Sequence, residues 1–400
     1  MSGHALIRTL ILRATLAAGV FVAAGCVPPP APQEPAAATI RAYDWSPKRT
    51  VLASDEVRVP FRLVNGMPYV SVDIGRTTAS FLLDTGANNV VIFPKLADEE
   101  LASIGNGTSS DGAGGSVPDI VSHLLSMNLG SARFDDLDAG VSRLHNLELP
   151  GEPADLGGEL GWLVFKDVLL TIDFPNRTLI VRRGELPPAD GKEILPIQRK
   201  GDNLFIPVSL NGKELLLLAD TGAGGLTLTR QDAFDLKWRS PLVAQSSQNA
   251  HGDSQGEIGR IDGDLHIGRY VVRNPVAYVD GARESGIIGD TVLGNFAVTF
   301  DLRNMRLRLE RPSDDPIGAP GISSITFRFN LTDHKVISVD KGGAAERAGV
   351  HVGDEVLTLN GQPISDDGSV NWPEDQPLLV DLKRDGQPIH VELDIKPLVR

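Results

Sequence analysis

The sequence predicts a mainly β protein in which two copies of one β lobe are followed by a small α+β domain. The chain has 400 residues, more than one core holds at about 100–200 residues per domain. Its 42 glycines and 27 prolines favour turns between short strands over long helices. An apolar run that ends in Asp-Thr-Gly-Ala occurs twice, at residues 81–87 and 217–223. Together these observations indicate a duplicated β architecture.

Fixed spacings between matching residues support the duplication. Asp84 and Asp220 lie 136 positions apart. Four pairs of identical residues each lie 128 positions apart: Gly161 and Gly289, Thr171 and Thr299, Asp173 and Asp301, and Asn176 and Asn304. A period this long indicates duplicated domains rather than a solenoid.

The first 25 residues are predicted to be a signal peptide. Arg8 and Arg13 precede an apolar stretch, 14–24, that is too short to span a bilayer as a helix. The stretch leads into Ala-Gly-Cys at Cys26, which resembles the signal of bacterial lipoproteins, and Val27 resembles their outer-membrane-sorted form. The resemblance implies a lipid anchor at Cys26 on the periplasmic side of the cell envelope. An ordinary signal peptide with an incidental cysteine is the alternative.

The remaining segments follow from composition and alternation. Removal of the signal with its two arginines would change the net charge from −14 to −16. The single cysteine leaves no intramolecular disulfide, so stability depends on packed cores. The predicted segments are a Pro/Ala-rich tether at 26–52, a first β lobe at 53–187, a second at 188–312, a linker at 312–320 and a C-terminal domain at 321–400.

Each lobe shows the same order of strand signals. In the first lobe, residues 57–64 and 69–74 alternate around an Asn65-Gly66 hairpin signal. In the second lobe, residues 204–210 precede the run to Asp220 and 226–229 follow it. Gly-rich stretches at 112–115 and 251–256 predict two mobile hairpin tips.

The two acids are predicted to form one site. Duplicated lobes can pack about a pseudo-two-fold axis, where equivalent loops meet. Asp84 and Asp220 would then face each other, and like charges about 3 Å apart hold one proton between them. The ionised carboxylate can take a proton from water while the protonated one donates to a carbonyl oxygen.

Neighbouring residues are predicted to support this pair. Gly86 and Gly222 allow a sharp turn that brings backbone N–H groups to the carboxylates, and Thr85 and Thr221 can hydrogen-bond across the axis. The remaining candidates are Ala87 and Ala223 beside the acids, and the flap residues Gly112, Gly114, Gly115, Gly252 and Gly256.

This arrangement resembles the retropepsin-type aspartic proteases. Asp-Thr-Gly-Ala after an apolar strand, a Gly-rich flap and an apolar-apolar-Gly segment occur twice within 53–312, as in the single-chain, pepsin-like enzymes. The resemblance implies a bilobal acid-protease fold and an aspartic endopeptidase with Asp84 and Asp220 as catalytic residues. Two departures are Trp162 directly after Gly161 and the lack of a tyrosine in either flap.

The C-terminal domain resembles a PDZ domain through residues 344–349 and 353–361. The resemblance implies a carboxylate-binding loop near 321–324 and a helix within 365–377, a stretch that is short and proline-punctuated. Peptide binding by strand addition and a role as a structural cap are both left open.

Other chemistries find no support in the sequence. The eight histidines show no H-x-x-x-H spacing, and no phosphate loop or G-x-S-x-G elbow occurs. No metal or other cofactor is therefore expected. The net charge of −14 disfavours nucleic acid as a partner. A peptide or protein substrate is expected, and the alternative is a noncatalytic, membrane-tethered peptide-binding or scaffold protein.

Overall fold

A computed structural model gives the fold of the chain. It describes residues 43–110, 116–142, 153, 155–239, 241–249, 252–318, 322–323, 326–330, 333–339, 343–364, 376–394 and 397–399. The predicted signal peptide, Cys26 and most of the tether lie outside these residues. The fold is mainly β, as predicted, with two related lobes and a C-terminal domain.

The first lobe contains eleven strands and one short α-helix. The strands are β1 (Arg49–Leu52), β2 (Glu56–Val64), β3 (Met67–Ile74), β4 (Thr77–Leu83), β5 (Val90–Ile92), β6 (Ser103–Ser110), β7 (Ser116–Leu129), β8 (Ala132–Val141), β9 (Leu156–Leu160), β10 (Leu169–Asp173) and β11 (Thr178–Arg182), and the helix is α1 (Pro94–Glu100). Strand β2 buries Val57, Val59 and Phe61 and exposes the residues between them, which is the period of two that alternation predicts. Asn65 and Gly66 both have positive φ, as a two-residue hairpin turn requires.

The first lobe begins earlier than predicted. Strand β1, within the stretch assigned to the tether, pairs antiparallel with β8. The backbone N–H of Asp44 also donates to the Asp138 carboxylate at 2.9 Å. A four-residue edge strand is too short to show alternation, and its partner lies about 80 positions further along the chain. The pairing therefore leaves no local signal in the sequence.

The second lobe repeats this order. Its strands are β12 (Ile194–Pro196), β13 (Gln198–Lys200), β14 (Asn203–Leu210), β15 (Lys213–Ala219), β16 (Leu226–Thr229), β17 (Val243–Asn249), β18 (Gly252–Arg260), β19 (Asp264–Ile267), β20 (Tyr270–Arg273), β21 (Val276–Asp280), β22 (Ile287–Ile288), β23 (Ala297–Asp301), β24 (Arg306–Glu310) and β25 (Ile317–Gly318), with helices α2 (Arg230–Ala233) and α3 (Asp290–Leu293). Strand β25 lies within the predicted linker and pairs with β20.

One connection positions the acid in each lobe. Strand β9 lies between β4, to which it is parallel, and β5, to which it is antiparallel. In the second lobe β22 lies between β15 and β16 in the same manner. Strands β4 and β15 thus have neighbours on both sides and are largely buried, which explains why they read as nearly continuous apolar runs.

The two lobes share a sheet. Strands β10 and β23 pair antiparallel, with Thr171 directly opposite Thr299. Their hydroxyl oxygens are 2.8 Å apart. Because these threonines are equivalent positions of the two copies, the pseudo-two-fold axis passes between them. One continuous hydrophobic core joins both lobes.

The C-terminal domain has a core of its own, which includes Phe327, Val356 and Leu382. Its elements are β26 (Ile322–Ser323), β27 (Phe327–Phe329), β28 (Val336–Val339), α4 (Ala344–Arg347), β29 (Glu355–Leu359), β30 (Gln362–Pro363), β31 (Leu378–Arg384), β32 (Gln387–Leu393) and β33 (Pro397–Val399). Most of the predicted groove helix and half of the predicted carboxylate loop lie outside the described residues. Among the described helices, none has the length and hydrophobicity to cross a membrane.

Candidate active site

The two predicted acids occupy equivalent places at the ends of β4 and β15. The backbone N–H of Asp84 donates to the carbonyl oxygen of Leu160 at 3.0 Å. The backbone N–H of Asp220 donates to the carbonyl oxygen of Ile288 at 3.1 Å. Each acid is therefore held by the strand inserted beside it, directly before Gly161 in one lobe and Gly289 in the other.

Two threonines join the acid loops across the axis. The Thr85 hydroxyl donates to the carbonyl oxygen of Ala219, and the Thr221 hydroxyl donates to that of Leu83, both at 2.7 Å. Each hydroxyl also accepts the backbone N–H of the opposite threonine at 3.1 Å. Both side chains are buried. These four hydrogen bonds fix the separation of the two loops.

The glycines after the threonines give each carboxyl group room beside the opposite loop. A Cβ added to Gly86 would lie 2.5 Å from the carboxyl carbon of Asp220. A Cβ added to Gly222 would lie 2.6 Å from that of Asp84. Any side chain at either position would collide with the acid of the other lobe. The structure therefore brings Asp84 and Asp220 together.

The two carboxyl groups have different hydrogen-bond partners. Asp84 accepts the backbone N–H groups of Gly86 at 2.7 Å and Ala87 at 3.2 Å. Asp220 accepts that of Gly222 at 2.9 Å, whereas the N–H of Ala223 donates to the Asp220 backbone carbonyl. The two carboxyl groups also lie close enough together for each to affect the pKa of the other. Backbone hydrogen bonds thus stabilise the Asp84 anion more than the Asp220 anion.

The electrostatics agree with this difference. Burial raises the pKa of Asp84, and hydrogen bonds from Asp220 and from backbone N–H groups oppose the rise. Burial also raises the pKa of Asp220 well above its usual range, and the charge of Asp84 and the hydrogen bond to it add to the rise. Burial therefore favours one proton on the pair, and the two backbone N–H donors on Asp84, against one on Asp220, favour Asp220 as the protonated partner.

Two β-hairpins, β6–β7 and β17–β18, correspond to the predicted flaps. Gly112, Gly114 and Gly115 lie outside the described residues. Gly252 and Gly256 lie within β18 rather than at a tip, so the predicted tip at 251–256 is too long. Polar residues fill this strand, and without apolar alternation it reads as a loop in the sequence.

Sequence reasoning missed two tyrosines that hold these hairpins. The Tyr43 hydroxyl donates to the carbonyl oxygen of Asn106 in β6 at 3.0 Å. The Tyr278 hydroxyl donates to that of Gln245 in β17 at 3.3 Å. A Cβ on Gly105 would lie 2.2 Å from the Tyr43 hydroxyl oxygen, so this glycine makes room for the ring. Each tyrosine lies outside its hairpin, and no sequence signal links the pair.

The residues after Gly161 and Gly289 contact the opposite lobe. The Trp162 indole N–H donates to the carbonyl oxygen of Asp202 at 3.0 Å. The Asp290 carboxyl lies against Gly66, where an added Cβ would be 1.9 Å from its Oδ2. Burial raises the pKa of Asp290 to about 7. Gly66 and Asp202 are themselves 136 positions apart, so the two contacts are equivalent in place but different in chemistry.

One cation acts on the pair of acids. Burial and the charge of Asp84 raise the pKa of Asp220, and the positive charge of Arg283, between β21 and β22, opposes a small part of this rise. The Nε atom of Arg283 is buried and has no hydrogen-bond acceptor among the described residues. The sequence contains no signal that would have singled out this arginine. No cluster of three or more metal-ligating side chains occurs in the part of the chain that the structure describes.

Two lobes that bring one acid each to a common axis define the bilobal acid-protease fold. Residues 70–162 and 206–292 match the family described as aspartyl protease, and residues 335–371 match the PDZ domain family. The chain thus contains two aspartyl protease, retropepsin-like segments followed by a PDZ domain. No curated protein matches the chain. Both families indicate peptide or protein partners.

Proposed function

We propose that the chain is an aspartic endopeptidase in which Asp84 and Asp220 activate one water molecule between them. The observation that carries the proposal is the approach of the two carboxyl groups across the axis, each beside the glycine of the opposite loop, with the backbone N–H groups of Gly86 and Ala87 on Asp84. A pair of acids that shares one proton contains both a base and an acid at the same pH.

The reaction follows from this protonation state. The water oxygen attacks the peptide carbonyl carbon as Asp84 accepts a water proton and Asp220 donates its proton to the carbonyl oxygen. The resulting gem-diol then collapses. Asp84 gives its proton to the leaving nitrogen, the C–N bond breaks, and Asp220 takes a proton from a gem-diol hydroxyl. The products are a carboxylic acid and an amine, and the starting protonation state is restored.

The hairpins β6–β7 and β17–β18 would cover an extended substrate of several residues. Closure of such elements excludes water and strengthens the electrostatic interactions inside a site. Tyr43 and Tyr278 hold the first strand of each hairpin from outside it. In this proposal they fix the base of each hairpin while the rest moves.

A peptide library tests the proposal between pH 3 and 8, a range chosen around carboxyl pKa values. Asp84→Asn and Asp220→Asn should each lower the cleavage rate at least about 100-fold, with thermal unfolding close to that of the wild type. Asp98→Asn, an exposed acid of the first lobe, is the matched control and should cleave normally. Full turnover by Asp84→Asn would disprove the mechanism. Peptide binding by the wild type without cleavage would favour the tethered scaffold instead.

We further propose a lipid anchor at Cys26 that holds the protein on the periplasmic side of the outer membrane of a bacterium. The lipoprotein-like sequence before this cysteine supports the anchor. An alkyne-tagged fatty acid supplied to expressing cells should label the wild type and not Cys26→Ser, and the variant should leave the membrane fraction. Labelling of Cys26→Ser equal to the wild type would contradict the anchor.

A further inference from the structure

We propose that Arg283 binds a substrate carboxylate, so that the cleft selects peptides with Asp or Glu within two residues of the scissile bond. This inference rests on the proposed function and names the substrate class of that site. It depends on the position of Arg283, on its unused hydrogen-bonding capacity and on the contrast with the other lobe.

Arg283 lies in the segment before β22, the strand that binds the backbone of Asp220 in the second lobe. The carbonyl oxygen of Gly286, three residues on, accepts the backbone N–H of Leu218 at 2.9 Å. The carbonyl oxygen of Ile288 accepts that of Asp220. These two hydrogen bonds place the segment that follows Arg283 beside the strand that ends at Asp220. A peptide placed for attack at the acid pair would therefore pass this segment.

The guanidinium has hydrogen-bonding capacity to spare. Arginine is charged at all relevant pH values and its planar donors fit a carboxylate in a bidentate manner. The buried Nε–H of Arg283 has no acceptor within the described ranges, and a buried donor left in this state is unfavourable. A substrate carboxylate would supply the missing acceptor.

Two acids close to this segment have other partners. Asp280 accepts the backbone N–H of Ala282 at 2.9 Å. Asp232, whose Oδ2 lies near Gly286, accepts the Thr229 hydroxyl at 2.7 Å. No ion pair joins Arg283 to a carboxylate of the residues that the structure describes. The charge of Arg283 is therefore not neutralised by an ion pair within that part of the chain.

The surroundings strengthen a charged contact. The segment of Arg283 continues into Ile287, which packs with Phe205 and Leu218 in a small buried apolar cluster. Opposite charges attract more strongly beside such a wall than in water because the local dielectric is lower. The position 128 residues earlier is Asp155, which accepts the Ser80 hydroxyl at 3.0 Å. The first lobe thus has a hydrogen-bonded aspartate at the position where the second lobe has an arginine whose buried Nε–H lacks an acceptor.

The test compares peptide pairs that differ only by Glu or Gln at one position near the scissile bond. The wild type should cleave the Glu peptide roughly 10- to 100-fold faster in kcat/KM, the range of a hydrogen bond to a charged group. Arg283→Met should cleave both peptides equally, and Arg283→Lys should keep part of the preference. Arg283→Glu should prefer a Lys peptide. Arg273→Met, which removes an exposed arginine of the same lobe, should keep the preference of the wild type.

The outcomes separate this inference from the proposed function. Cleavage by the wild type with no Glu preference at any position overturns the role of Arg283 and leaves the protease intact. If no peptide is cleaved, fluorescence anisotropy with the same labelled pairs decides. Tighter binding of Glu peptides that is lost in Arg283→Met supports carboxylate recognition without proteolysis, and equal binding overturns it. Thermal unfolding of each variant identifies any that fails to fold, in which case Arg283→Lys provides the comparison.

Discussion

The two lobes are copies of one fold, yet they differ at equivalent places around the acids. Three pairs of positions show this: Ala87 and Ala223, whose N–H groups have different acceptors, Trp162 and Asp290, which contact the opposite lobe, and Asp155 and Arg283. The backbone N–H of each acid, in contrast, donates to the equivalent inserted strand in both lobes. The strand pairing is therefore preserved between the copies, whereas the contacts around the carboxyl groups differ.

This divergence matters for the proposed mechanism, in which the two acids share one proton. In a symmetric dimer of identical chains, neither acid has a fixed preference for the proton. Here the N–H of Ala87 stabilises the Asp84 anion, whereas the N–H of Ala223 is bonded to a backbone carbonyl. A single chain can thus assign the base to one lobe and the acid to the other in advance.

The largest effect is expected at the interlobe contact of Asp290. Its pKa is raised from 3.8 to about 7 in the folded protein, so the folded state binds the proton more tightly than the unfolded state. The stabilisation is present in full below pH 3.8 and is lost as pH rises to 7, a decrease of about 4 kcal/mol at most. Asp290→Asn should remove this contribution, and the raised pKa values of Asp84 and Asp220 should leave a smaller decrease in its place. Guanidinium unfolding of both proteins from pH 3 to 8 measures the difference.

Trp162 sharpens this comparison because its equivalent contact has no titrating group. Trp162→Phe removes the hydrogen bond to Asp202 and should lower stability by about 1 kcal/mol at every pH in the same range. A pH-dependent effect at Trp162, or a stability difference between wild type and Asp290→Asn that stays constant with pH, would contradict the assignment.

The threonines should show the opposite behaviour, namely equality between the lobes. Thr221→Val leaves the N–H of Thr85 and the carbonyl of Leu83 buried without partners, and Thr85→Val does the same to Thr221 and Ala219. Each substitution should cost about 3 kcal/mol, measured by denaturant unfolding. The exposed Thr78→Val is the control. If the two losses in free energy of unfolding differed by more than about 1 kcal/mol, the two threonines would not contribute equally to stability.

The hairpin anchors should differ modestly. Tyr278→Phe removes a partly buried hydrogen bond to Gln245 and Tyr43→Phe an exposed one to Asn106. Amide hydrogen exchange should show a loss of about 1 kcal/mol in the protection of β17 and a smaller loss in β6. Faster exchange in both hairpins after either change would mean that the two are coupled rather than held separately.

The sequence predicted the features that occur in both lobes and did not predict contacts that occur once between distant residues. The meeting of Asp84 and Asp220 follows from two copies of one motif and the symmetry of duplicated lobes. The pairing of β1 with β8, the Tyr43 contact and the position of Arg283 depend on residues far apart in the chain with no repeated pattern. The polar composition of β18 gives no apolar alternation, so the sequence did not predict this strand, which pairs with β17 and β21.

The smallest expected effect concerns Arg283 and the pH profile of cleavage. Its positive charge lowers the pKa of Asp220, so Arg283→Met should raise that pKa. In the proposed mechanism Asp220 is protonated, and the alkaline limb of the rate profile should therefore move to higher pH. The acidic limb, which reports ionisation of Asp84, should move less. A shift of the alkaline limb to lower pH would show that the guanidinium does not act on the acid pair through its charge. The profile should be measured with the Gln peptide, because a Glu side chain in the substrate would add a titration of its own near the acidic limb.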